Sequence, residues 1–460
     1  MGNNNQEYLE HLRELGRRNE TLNASLSSLI NTYEDINTHN LQYEALLREF
    51  GLEDKARKEQ KDVKRFKMAS MLYIVIYGFR QLAECDDANY QLDKLDEIFI
   101  TINDIAEQYN LCKIQTIGDN IMLAGGIINE DKTNPIDAAK AAYEIMESMR
   151  ELKSRGPLIW ELGIGIHTGP IVARFVPRKT IPYTLSGNNA LTATRLCMGS
   201  ERGHVSVSPM AYELIKEFFV LEKHGKIPVK YSGPMDIYDL KGIQPALIST
   251  DPDKKWSDAF ELSYSRLQFM DIQEYMLDML EEELPNNLYY HNVKHTIDVT
   301  TEVELIGWAE GLPESDILLL KVAGLFHDSG HIVQYKGHEE KSCEFVDEIL
   351  PRFNYSKDKI DKIKRIIMAT KLPHTPTDIL EAVIQDSDLD YLGRSDFIPV
   401  SNMLYKEMKD RNMIGTIDEW NEMQIKFISS HQYYTKTAKS LREVNKQSQI
   451  EHIRKLLNHK

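Results

Sequence analysis

The chain has 460 residues, 42% of them hydrophobic, and a formal charge of -16. That length exceeds one ordinary core and predicts two or three domains. The negative balance argues against a nucleic-acid polymer or an anionic membrane as a general partner, because either would be repelled at long range.

No apolar run reaches the roughly 18 residues of a membrane span, and the N-terminal "MGNNNQ" lacks the charged and apolar parts of a signal peptide. Gln6 also stands where a myristoylation signal has Ser or Thr. The 4 cysteines, Cys85, Cys112, Cys197 and Cys343, lie far apart without C-x-x-C spacing, so neither a zinc cage nor a disulfide framework is indicated. A reducing, cytoplasmic setting is expected.

The first segment, residues 1–62, repeats by sevens. Tyr8, Leu15, Leu22, Leu29, Ile36, Tyr43 and Phe50 share one heptad position, and Leu12, Asn19, Leu26, Tyr33, Asn40 and Leu47 share the other. This is a coiled-coil pattern, and two asparagines on the seam pair best in a parallel two-stranded register, so a parallel homodimer is expected. A single amphipathic helix packed on its own chain is the alternative. The charged stretch "EDKARKEQKDVKRFK" that follows lacks a seam and reads as a linker helix.

The second segment, 63–250, alternates strand and helix patterns. "SMLYIVIYGF" reads as a buried strand, and "YQLDKLDEIFITINDIAEQYN" has helical spacing. "CKIQTIGDNIMLAGG" reads as two strands about a Gly-Asp turn. "PIDAAKAAYEIMESMRELK" is a helix opened by proline, and "WELGIGIHTGPIVARF" is expected to be a hairpin turning at Thr168-Gly169. This order predicts an α+β layer on a mainly antiparallel sheet.

"YIVIYGF", "TIGDNIM", "LGIGIHTGPIVARF" and "GNNALTATRL" together resemble the catalytic domain of class III adenylate and guanylate cyclases. The resemblance implies a ferredoxin-like βαββαβ core and an active site that two protomers share. In that family two aspartates hold two metal ions against a triphosphate. Here Val75 stands in place of the first aspartate, while Asp119 matches the second. Leu191 stands in place of the family's asparagine, one helical turn before the retained Arg195. Lys230 matches a phosphate-binding lysine, and Gln115 and Thr184 occupy the purine-reading positions. The resemblance therefore implies a degenerate cyclase in which Asp119, Arg195 and Lys230 serve regulatory nucleotide binding.

The third segment, 251–460, is helical by period throughout, with breaks at "LPNN", "LPRFNYS" and "KLPHTPTD". It contains "YHNVKHTIDVT" with His291 and His295 four apart and so expected on one helical face, "LFHDSGH" with His327, Asp328 and His331, and "QDSDLDYLG" with Asp386, Asp388 and Asp390. Imidazole and carboxylate donors suit manganese, zinc, iron, cobalt or magnesium. This order of His, His-Asp and Asp resembles the HD superfamily. The resemblance implies an all-α fold in which His295, His327, Asp328 and Asp388 hold a metal, with His338 and His374 as candidates for a second.

The segment "YHNxxHxxDVT" further resembles cyclic nucleotide phosphodiesterases. That likeness casts His291 as the acid for the leaving oxygen and His331 as a phosphoryl-stabilising or second-metal residue. It makes Gln424 and Phe427 in "EMQIKFI" the purine contacts. Gly330 departs from the acidic residue usual in that motif.

The expected function is hydrolysis of a 3',5'-cyclic nucleotide by the HD domain under control of the cyclase-like domain. Hydrolysis of a linear nucleotide, an active cyclase, and a non-catalytic nucleotide-binding protein are the alternatives.

Overall fold

A computed structural model describes residues 63–117, 119–128, 130–175, 183–199, 201–229 and 233–458. The heptad segment and Lys230 lie outside them. The chain divides into two compact units between Thr250 and Asp251.

The first unit is built on one mixed sheet. Strand β1 (Val63–Tyr77) is followed by helix α1 (Ala88–Gln108), the hairpin β2 (Cys112–Ile117) and β3 (Asn120–Gly125), helix α2 (Asn134–Arg155) and strand β4 (Glu161–Phe175). These six trace a βαββαβ path with strands in the order β2-β3-β1-β4. Beyond them come β5 (Tyr183–Ser186), helix α3 (Asn188–Gly199), β6 (Val205–Val207), helix α4 (Pro209–Ile215), β7 (Phe219–Val229) and β8 (Gly233–Ile243). The sheet continues from β4 through β6 and β8 to β7, and β5 pairs with β4.

Local chemistry sets these boundaries. The Asp87 side chain caps α1 by accepting the Tyr90 N–H at 3.0 Å, and Pro135 lies in the first turn of α2, where its missing N–H is not needed. Leu95, Ile98, Ile102 and Ile105 put the buried face of α1 at helical spacing.

The segment expected to turn at Thr168-Gly169 is instead one continuous strand. Ser70 pairs with Thr168 and Ala69 with Gly169 along the long β1–β4 ladder. The glycines there serve packing rather than a turn. A Cβ on Gly165 would lie 2.4 Å from the Ala193 carbonyl oxygen, and one on Gly169 would lie 2.9 Å from Asn189 Nδ2, so both admit α3 closely onto the sheet.

The second unit is all helix: α5 (Asp258–Glu283), α6 (Val293–Ala309), α7 (Glu314–Phe326), α8 (His338–Ile349), α9 (Lys357–Met368), α10 (Ile379–Asp388), α11 (Phe397–Asp410), α12 (Ile417–Ser430) and α13 (Val444–Asn458), with short 3-10 and π turns between. Helix α7 is apolar nearly all round and runs through the core, burying Leu320, Val322, Ala323, Leu325 and Phe326. Fully burying each large aliphatic or aromatic side chain of this set contributes roughly 1.5–3 kcal/mol. Gly324 lets α7 cross α6 tightly, since a Cβ there would lie 3.3 Å from Thr300 Oγ1. Among the described residues no helix is long and apolar enough to cross a membrane.

Candidate metal centre

Three helix ends converge in the second unit. His295 lies in the first turn of α6, His327 caps the C-terminus of α7 with Asp328 next to it, and Asp388 ends α10. The Nε2 atom of His295 is 3.1 Å from Asp388 Oδ1, 3.4 Å from Asp328 Oδ2 and 3.4 Å from His327 Nε2. His327 Nε2 is 3.3 Å from Asp328 Oδ2 and 3.5 Å from Asp388 Oδ1. A tetrahedron of bonds of about 2.1 Å has edges of about 3.4 Å, so these separations suit four ligands on one cation.

The His327 ring is oriented from behind, its Nδ1–H donating to the Gly324 carbonyl at 2.8 Å, which turns Nε2 inward. Although burial opposes ionisation, the His327 charge and hydrogen bonds from His327 and His338 hold Asp328 well below the usual carboxylate range. Burial likewise opposes ionisation of Asp388, yet hydrogen bonds from His295 and His327 keep it low. Only long imidazole contacts, from His327 at 3.3 Å and His295 at 3.4 Å, reach the buried Asp328 Oδ2. Buried, ionised, convergent and incompletely paired, these groups fit a divalent cation.

Asp386 belongs elsewhere, since its carboxylate accepts the backbone N–H groups of Tyr434 and Thr435 at 2.7–3.1 Å. Asp390 pairs with Arg442.

Around the other oxygen of Asp328 lies a second group. One donor atom each from His291, Asp328 and His331 lie within 4.8 Å of one another, as do one each from His295, His327 and Asp388. His338, at the start of α8, reaches Asp328 Oδ1 with its Nε2 at 3.2 Å. Its ring stacks on that of His331 at 3.9 Å between centroids, and His291 lies 4.6 Å from His331. Burial pushes the His331 imidazole down to about 3.

Two expectations change, one from spacing and one from the resemblance. His291 and His295 do not share a helical face, because Asn292 caps α6 by accepting the N–H groups of Lys294 and His295, and His291 precedes the helix. His374 is in neither cluster of the described residues; it bonds Glu381 at 3.0 Å, a carboxylate that also takes Arg365 and Thr377.

Glu407, on α11, escaped the sequence reading. Fully buried, it accepts from His291 Nδ1 and from the N–H groups of Tyr290 and His291. Burial raises its pKa, but these hydrogen bonds and the His291 charge bring it down to about 2. No motif joins it to His291; a glutamate on an otherwise amphipathic helix gives no signal.

Gln424 is buried on α12 with Oε1 unpartnered, and Phe427 packs against the cluster of Tyr290, Tyr391 and Ile428. Tyr290 in turn lies over His295, with 4.5 Å between ring centroids. A cleft bordered by His295 and Asp388 is lined further by Tyr289, Tyr391, Lys294 and Arg394.

In the first unit Val75 is buried opposite Asn120, and the Asp119 carbonyl accepts the Ile76 N–H at 2.8 Å, so the two positions that the resemblance pairs are neighbours. Asp119 Oδ1 accepts from Asn120. Leu191 is exposed on α3, one turn before Arg195. Gln115 and Thr184 fall in β2 and β5.

Residues 61–242 match the adenylate and guanylate cyclase catalytic domain, and residues 292–392 match the HD domain. The chain is 26% identical over 178 residues to a membrane guanylyl cyclase of Dictyostelium discoideum, covering 39% of this chain and 12% of that protein. It is 28% identical over 189 residues to an adenylate cyclase of Mycobacterium tuberculosis, covering 41% of this chain and 42% of that one. The chain thus spans less than half the length of either relative. The adenylyl cyclase CyaB from P. aeruginosa, a solved structure, is 25% identical with a TM-score of 0.37, over 40% of this chain and 99% of that one. The protein therefore joins a class III adenylate/guanylate cyclase catalytic domain to an HD domain whose His and Asp clusters suit a divalent metal.

Proposed function

We propose that the HD domain is a metal-dependent phosphodiesterase that opens a 3',5'-cyclic nucleotide, and that the cyclase domain regulates it. The observation that carries the proposal is the convergence of four donor atoms, from His295, His327, Asp328 and Asp388, with each imidazole nitrogen 3.1–3.5 Å from the other and from both carboxylates, in a buried pocket beside a cleft. A cation held there would lower the pKa of a water and offset negative charge on the phosphoryl oxygens.

The chain's own residues do the rest. His327, locked by Gly324, and the ionised pair Asp328 and Asp388 fix where the phosphodiester reacts. Tyr290 and Tyr391 give the cleft an apolar wall for a nucleoside, and Gln424 and Phe427 are the proposed base contacts. The reaction balances with water alone: its oxygen bonds to phosphorus, one ester P–O bond breaks, and the proton that water gives up ends on the departing ribose oxygen.

A regulatory role for the cyclase domain is supported by Val75 and Leu191 at positions that would otherwise supply a carboxylate and an amide. A second reading, an active cyclase using Asp119 alone, draws on the match over residues 61–242. Release of pyrophosphate from ATP or GTP would favour it.

The test is hydrolysis of a panel of cyclic AMP, cyclic GMP, linear triphosphates and dinucleotides with manganese, comparing the wild type with Asp328→Ala. Cyclic-nucleotide cleavage abolished by the substitution is expected. Cleavage of linear substrates alone would replace the proposed substrate class.

A further inference from the structure

We propose that the cleft beside the metal centre is a charge filter: Asp298 keeps its two basic side chains engaged, so that a singly charged phosphodiester enters while phosphomonoesters and polyphosphates are turned away. This rests on the phosphodiesterase reading above and adds the residue that selects the substrate class.

The pattern begins on α6. Lys294, Asp298 and Glu302 follow one another at intervals of four, so they form one stripe along the helix, starting next to His295. All three line the cleft, as do Asp388, Asp390 and Arg394 from the end of α10 and the segment after it. Acidic side chains outnumber basic ones in that lining by four to two.

Both basic groups are paired with carboxylates. Lys294 Nζ donates to Asp298 Oδ2 at 2.6 Å, and Arg394 Nη1 donates to the same oxygen at 3.1 Å. Arg394 Nε and Nη2 donate to the two oxygens of Asp396 at 2.8 and 2.6 Å. Arg442 is likewise engaged by Glu302 and Asp390. A phosphate group is held by charge-assisted donors, and here a carboxylate already occupies them.

Asp390 gives an independent sign. Its side chain is 4% exposed, and Oδ2 is buried without a hydrogen-bond partner. Such an acceptor in the wall is satisfied by an O–H or N–H group of a nucleoside and repels a phosphoryl oxygen. A cyclic nucleotide carries one negative charge, which a metal ion alone offsets. The further phosphates of a linear nucleotide would meet Asp298 instead, a repulsive element of the kind that sets specificity against a competitor.

The test uses the full chain loaded with Mn(II) and two esters without a nucleoside, so that the cyclase domain takes no part. One is bis(p-nitrophenyl) phosphate, a singly charged diester; the other is p-nitrophenyl phosphate, a monoester that is doubly charged above neutral pH. The quantity read is the ratio of their kcat/KM values, in which effects common to both cancel. Asp298→Asn keeps the shape and removes the charge, and should lower the diester preference about tenfold. Asp298→Glu should retain the preference, and Lys294→Gln, which leaves Asp298 less neutralised, should raise it. Monoester hydrolysis by the wild type should speed up with added salt, and this dependence should flatten in Asp298→Asn.

An unchanged ratio and salt dependence in Asp298→Asn would overturn the inference, as would a wild type that cleaves neither ester. Cyclic nucleotides are scored separately. A ratio that shifts as expected in a protein that leaves cyclic AMP and cyclic GMP intact supports this inference against the proposed activity. Cyclic-nucleotide cleavage with a ratio indifferent to Asp298 does the reverse.

Discussion

Glu407 and His291 stand 116 residues apart in sequence, yet one carboxylate oxygen of Glu407 takes the His291 Nδ1 proton and the other takes the backbone N–H of His291 and of Tyr290. The segment that opens the metal-binding half of the domain is thus fixed by a helix that carries none of the ligands.

Loss of this support has a graded expected effect. Glu407→Gln retains an acceptor and the volume but loses the charge, and should weaken metal affinity or turnover by about 10–100-fold. Glu407→Ala also leaves two buried N–H groups unpaired and should lower stability by roughly 1–3 kcal/mol for each. Chelator competition for Mn(II) together with thermal unfolding separates the two, and equal metal affinity in all three proteins would remove Glu407 from any supporting role.

Two of the three aspartates of "QDSDLD", Asp386 and Asp388, should respond in opposite ways. Asp388→Asn is expected to lose metal and activity with little change in melting temperature of the metal-free protein. Asp386→Ala should retain metal but destabilise, because the Tyr434 and Thr435 N–H groups lose their acceptor. Metal content and melting temperature measured side by side check this; metal loss in the Asp386 variant with retention in the Asp388 variant would reverse the assignment.

Val75→Asp would place a second carboxylate beside Asp119 and so tests the proposed regulatory role. Without metal, two neighbouring carboxylates repel, so the variant should be less stable than the wild type. With Mn(II) and ATP or GTP it should gain stability, about 2.7 kcal/mol at ligand one hundredfold above its Kd. Thermal shifts that do not differ from those of the wild type would show that more than this carboxylate is missing.

His167 should make the cyclase domain acid-sensitive. Buried in β4, it bonds Ser208 at 2.9 Å and Asn189 at 3.1 Å, and burial pushes it down to about 4 despite the Asn189 hydrogen bond. In the unfolded chain the group titrates near 6.5. Above that pH both states are neutral and His167 contributes no pH dependence. As pH falls from 6.5 to about 4, only the unfolded state takes up the proton, so stability drops, by roughly 3 kcal/mol in full. Urea unfolding at several pH values, with His167→Gln as comparison, should show a flatter acid limb for the variant; parallel limbs would exclude His167 as the cause.

Much of the site is written in the sequence because its chemistry is local. His327 and Asp328 are adjacent at a helix end, His295 follows its own cap, and Asp388 closes another helix; their order along the chain is what carries the resemblance to the HD superfamily. The same holds for much of the strand and helix order of residues 63–250, where apolar period suffices. Spacing failed where two meanings share one pattern. A threonine and glycine inside an apolar run signal a turn or a place where a helix presses on a strand, and only α3 against β4 decides for the second. Two histidines four apart share a face if the helix includes both, and the Asn292 cap puts His291 outside it.

What the chain by itself determined is the inventory: an acidic protein with alternating strand and helix patterns, a valine at position 75, and a set of imidazoles and aspartates suited to a divalent cation. Which of them meet was decided by tertiary structure. His338 joins Asp328 because Gly330 lets α8 close on it, His374 is held at Glu381, and Glu407 reaches His291 from 116 residues away. The reason is physical: a ligand's identity is a property of its side chain, but its position is set by helix packing, and packing between distant segments leaves no periodic mark in either of them.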